Sequence, residues 1–138
     1  MRSLILLFIL LTTVTGQSQE EQVEVPQIAI RIPLGKTIEI DETLITFERV
    51  VEDSRCPRKV QCVWAGRARV EVVVEQEDEE AVSIEVILGQ VKQNEVANRT
   101  IVEKDDYIID VINLTPYPEQ PGMIENYWLL IRKIKNDQ

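Results

Sequence analysis

Two cysteines six residues apart constrain this chain more than any other feature. Cys56 and Cys62 enclose Pro57, Arg58, Lys59, Val60 and Gln61. A straight strand would hold their Cα atoms about 20 Å apart. A helix would hold them about 9 Å apart and turn them to different faces. A disulfide needs a Cα separation of about 4.4–6.8 Å. If the two are bridged, the chain must double back with Pro57, Arg58 and Lys59 near the tip of a small ring. Closing a ring of about seven residues stabilises by about 2.4 kcal/mol on a chain-entropy argument. Beyond the ring, Trp64, Ala68, Val70, Val72 and Val74 share one face on a two-residue period. Arg67, Arg69, Glu71 and Glu75 take the other. This spacing predicts a half-buried strand entered through a turn at Ala65-Gly66.

Whether the ring closes depends on compartment. Arg2, the apolar run Leu4 to Leu11, and Val14 and Gly16 three and one residues before a cut after Gly16 read as a secretory leader over 1–16, cleaved near 16–18. The competing reading is a buried strand or short membrane anchor. No cysteine stands near the cut to carry a lipid. Residues 17–25 read as a flexible N-terminal arm and 26–138 as a single disulfide-stapled β domain. The expected location is periplasmic or secreted, where two cysteines most economically pair with each other.

The 138 residues carry a formal net charge of −9, which becomes −10 when Arg2 leaves with the leader. Such an acidic domain is a poor ligand for nucleic acid and for anionic membranes. No membrane anchor is expected in the mature chain.

Alternating apolar residues predict about seven to nine short strands, and no amphipathic helix emerges. Ile28, Ile30 and Ile32 lie between Pro26 and Pro33, which suits an edge strand. Thr43 to Val51 alternates until Val50 and Val51, predicting a bulge near Arg49. The tip Gln76 to Glu80 joins two strands in a hairpin whose Arg67 or Arg69 faces Glu85. Gly89 to Arg99 is irregular, with one helical turn expected at Asn94 to Ala97. Tyr107 to Leu114 is apolar on both faces, predicting a central strand buried on both. Thr115 to Gly122 holds three of the six prolines and reads as a stiff loop. The last strand is expected over Glu125 to Ile134. The fold class is all-β: an antiparallel β-sandwich, with a small barrel as second choice.

Histidine is absent, which removes the commonest proton shuttle and metal ligand. No phosphate loop or dinucleotide fingerprint is present. No enzyme activity, cofactor or metal is expected. Glu77, Asp78, Glu79 and Glu80, and secondly Asp105 and Asp106, are acidic turns without the ligand spacing of a calcium loop. Asn98 and Asn113 begin glycosylation acceptor patterns, the second at a buried strand end.

Asp53 and Ser54 are suited to bond turn N–H groups ahead of the ring, and Arg55 to pair with Asp53 or a neighbouring acid. Asp53, Ser54, Trp64 and Gly66 are thus expected as structural support. Arg55, Pro57, Arg58 and Lys59 form a candidate binding loop, a basic knob offered to an unknown protein or envelope component. The alternative is a protease inhibitor presenting Arg58 or Lys59 to a trypsin-like pocket.

Asp53-Ser54-Arg55-Cys56-Pro57, four residues, then Cys62-x-Trp64-x-Gly66 resembles the signature of small exported bacterial proteins and lipoproteins. Leu114-Thr115-Pro116-Tyr117-Pro118 is similar to a second stretch of that group. The resemblance implies export, a disulfide and a β domain, and brings no activity with it.

Overall fold

Among the described residues, alternation of branched apolar residues with polar ones builds eight strands, and two four-stranded antiparallel sheets pack as a β-sandwich. The computed structural model describes residues 28–122 and 124–136; the expected leader, 1–16, and arm, 17–25, lie outside the described residues. The strands are β1 (Ala29–Pro33), β2 (Thr37–Ile40), β3 (Thr43–Asp53), β4 (Arg67–Gln76), β5 (Val82–Gly89), β6 (Thr100–Glu103), β7 (Tyr107–Thr115) and β8 (Trp128–Lys135). One sheet runs β1-β8-β7-β6 and the other β2-β3-β4-β5. The sheets stay separate, so the barrel alternative does not hold.

Inward residues of both sheets form one core, centred on Phe47, Val70, Val72, Ile109, Val111 and Ile131. β1 takes an edge, as its bracketing prolines require. The β3–β4 register shifts between Phe47 and Arg49, where the bulge was expected, and again between Val50 and Glu52. β4 and β5 pair from Val74 opposite Val82 to Arg67 opposite Gly89, the hairpin expected around the acidic tip. Arg69 then reaches Glu85 through two bonds of 3.1 and 2.8 Å.

Five expectations need correction. β7 is central, but only one face is buried; Ile108 and Ile112 on the other are half-covered, because no further layer packs there among the described residues. Asn113 is exposed, because a bulge in the β7–β8 ladder at 111–113 swings it out of the core phase. The last strand starts at Trp128 rather than Glu125, and residues 94–97 form no helical turn. Arg67 is not on a solvated face: it is 1% exposed. Its guanidinium meets Glu52 from β3 and Glu95 from the 90–99 segment, so local strand phase was overridden by a distant cover.

Two connections end at the same corner of the sandwich. Residues 54–66 link β3 to β4, and 116–127 link β7 to β8. The backbone N–H of Arg58 donates to Pro118 O at 3.0 Å, and that of Lys59 to Glu119 O at 3.2 Å. The cysteine ring is therefore docked against the proline-rich loop.

Candidate functional site

The corner is assembled around one buried ion pair. Asp53 closes β3, and Arg55 lies two residues on, within reach of a fork-to-fork contact. Arg55 Nε donates to Asp53 Oδ1 at 2.8 Å and Nη2 to Oδ2 at 2.7 Å. The remaining donors cross to the other sheet: Nη1 reaches Leu114 O of β7 at 2.6 Å and Nη2 reaches Pro116 O just beyond it at 3.1 Å. Arg55 is 8% exposed, with its guanidinium 5.1 Å from the centre of the Tyr117 ring. The planar, five-donor fork suits this task, which an ammonium would not perform.

Asp53 is equally committed. It also accepts the Arg55 backbone N–H at 3.3 Å and the Tyr127 hydroxyl at 2.9 Å. Burial pushes its carboxyl up, but the hydrogen bonds and charge of Arg55, with Tyr127, outweigh that and hold it below the usual range. Burial and the adjacent Asp53 push the Tyr127 phenol up to about 12. With its oxygens occupied on four sides, Asp53 is a strut and not a proton acceptor for a substrate. Glu52 is held below its ordinary value chiefly by the Arg67 hydrogen bond, then by Ser54.

Arg55 therefore belongs to the support and not to the presented loop; its donors face inward. Ser54 is support as expected: its N–H donates to Arg67 O at 2.8 Å and its hydroxyl to Glu52 at 2.9 Å. Gly66, at φ +72°, lets the backbone of β4 approach Ser54. Trp64 is corrected in the opposite sense. It is 51% exposed, because the left-handed turn at Gly66 resets the strand phase and β4 starts only at Arg67.

The cysteines are joined, with a Cα separation of 5.9 Å. Pro57 is half-buried at the ring's base, its carbonyl accepting the Val60 N–H at 3.0 Å. Tyr117 OH donates to Cys56 O at 2.9 Å, and its ring also faces Arg58 at 5.5 Å. Arg58 pairs with Glu119 at 3.5 Å in the open. Beyond these fastenings, Lys59, Val60, Val63 and Trp64 stand in solvent, Val63 fully so. Val63 carried no signal in the sequence, since its exposure depends on where the ring points.

Reducing or deleting the bridge should loosen this tip. Cys56→Ser should cost about 2–4 kcal/mol in urea unfolding. Intact mass should show the loss of two hydrogens in the folded parent, and titratable free thiols there would contradict the result.

The acidic tip does not converge: among the described residues, no three His, Cys, Asp or Glu side chains are grouped to hold a metal. No helix of the described residues is long and apolar enough to cross a membrane. No protein-family model, curated protein or solved structure matches the chain.

Proposed function

We propose that the protein is a non-enzymatic, exported binding module that docks through the tip of its cysteine ring onto a protein or envelope component. One observation carries this reading. Val63 is fully exposed and Trp64 half-exposed, with Lys59 and Val60 beside them, on a loop fastened by a disulfide, by Tyr117 and by the Arg55–Asp53 pair. Burying an aliphatic or aromatic side chain is worth about 1.5–3 kcal/mol, and this loop forgoes it within its own fold. A rigid apolar and cationic tip loses little entropy on binding and has the composition of an interface anchor. The bridge requires an oxidising compartment, and the likeness of Asp53 to Gly66 to exported bacterial proteins supports a periplasmic or secreted location.

The inhibitor alternative keeps Lys59 as bait, since no ion pair holds its side chain among the described residues. The backbone weighs against it: the N–H groups of Arg58 and Lys59 are already given to Pro118 and Glu119.

A photo-reactive residue placed at Val63 in the producing cells tests the proposal. It should yield one discrete adduct that the same residue at Glu39, on a remote strand, does not. Equal adducts from both positions, or none from Val63, would overturn docking through the ring. Stoichiometric trypsin inhibition lost in Lys59→Ala or Arg58→Ala would move the assignment to the inhibitor.

A further inference from the structure

A second surface lies across the sandwich from the ring's fastenings, on the β5 edge. β5 pairs only with β4, so the hydrogen-bonding groups on its other side have no strand beside them among the described residues. Its two halves differ. Val86, Ile87 and Leu88 are buried, whereas Val82, Ser83 and Glu85 are exposed and Ile84 is half-covered. Val82 shares the inward phase of Ile84, Val86 and Leu88, yet is 55% exposed. From the opposing sheet, Ile101 of β6 is the side chain that lines this end of β5.

The missing cover leaves a cleft of about 140 Å³ between the sheets, lined by Val74, Val82, Ile84 and Ile101 and rimmed by Glu79 and Glu80. A water occupies about 30 Å³, so the cleft has room for an aliphatic side chain. No cation pairs with Glu79 or Glu80 among the described residues. An eight-residue edge carrying one charge, without proline and without an internal bulge, lacks the devices that normally block strand addition.

We infer that the Val82–Glu85 edge receives an extended, basic segment of another protein as an added strand. Its backbone would continue the β4–β5 ladder, one apolar side chain would enter the cleft, and alternate Lys or Arg residues would meet Glu79 and Glu80. A second copy of this chain fits worse. It would set an edge bearing Glu79, Glu80 and Glu85 against itself, on a chain of net charge −9. The inference does not depend on the cysteine ring.

The probe is a capped seven-residue peptide alternating lysine and valine, with a glutamate–valine peptide as control, titrated into the full exported protein by amide NMR. The lysine peptide should saturably shift and slow the exchange of the Val82 to Glu85 amides; the glutamate peptide should not. Val82→Lys should weaken binding at least about tenfold with the melting temperature preserved, as should Glu80→Lys at an exposed position. Shifts confined to residues 77–80 would reduce the contact to charge attraction and overturn the inference. So would undiminished binding by both variants, or self-association through β5 without peptide.

Discussion

Arg55→Ala should lower the unfolding free energy by about 3–5 kcal/mol at neutral pH, because it leaves Asp53 charged, buried and unpaired. The same substitution strips the donors from Leu114 O and Pro116 O, which lie on the far side of the corner. Arg58→Ala is the matched control. Its ion pair with Glu119 is 3.5 Å long and exposed on both sides, so less than about 1 kcal/mol should be lost. Urea unfolding of the two variants beside the parent measures the contrast. Acidification supplies an independent sign. The folded Asp53 carboxyl is held below its ordinary value. The folded state therefore binds the proton less readily than the unfolded chain, and the pair's stabilisation is present above about pH 4. It is lost as pH falls through the lower folded value. In Arg55→Ala the unpaired carboxyl takes up a proton more readily when folded, so the gap between parent and variant should close on the acid side. A variant within 1 kcal/mol of the parent at neutral pH, or a gap that widens in acid, would show that Arg55 is not the strut of this corner.

The contrast between Arg55 and Arg58 also marks what the sequence could and could not reveal. The strands, the bulge beside Arg49, the acidic hairpin and the Arg69–Glu85 pair all follow from short-range alternation, which a linear reading preserves. The ring closure is expected from two cysteines behind a leader-like start, and the bond is present. The destination of Arg55 does not: two of its acceptors are backbone carbonyls 59 and 61 residues away, and carbonyls leave no mark on composition. Arg67 and Trp64 exchange their expected environments for a related reason. The two-residue period puts Trp64 in phase with Ala68 across the expected Ala65-Gly66 turn, and the left-handed backbone at Gly66 does not preserve that phase. Arg67 is then covered by Glu95 from a segment with no regular pattern of its own, while Trp64 is carried out with the ring. The cleft at Val82 was equally hidden, since inward phase says nothing about what the opposing sheet lays over it.

Gly66 should be the least replaceable glycine among those described. A Cβ at this position would lie 1.8 Å from Ser54 O and 2.6 Å from Ser54 C, both backbone atoms. They cannot retreat cheaply, because the Ser54 N–H is held by Arg67 O at 2.8 Å and the next residue is Arg55. Gly89 approaches the same backbone closely, since a Cβ added there would meet Gly66 O at 2.8 Å. The left-handed backbone at φ +72° adds the strain of any L side chain. Gly66→Ala should therefore cost at least about 3 kcal/mol and disturb both the Arg55 strut and the base of the ring. Gly35 separates the two causes. It has nearly the same φ, +71°, with nothing within 4 Å of the added carbon. Gly35→Ala should show the backbone strain alone, about 1–2 kcal/mol. Urea midpoints of the two variants decide the matter: equal losses would mean that conformation, and not the close approach of β4 to Ser54, is what the chain requires of Gly66.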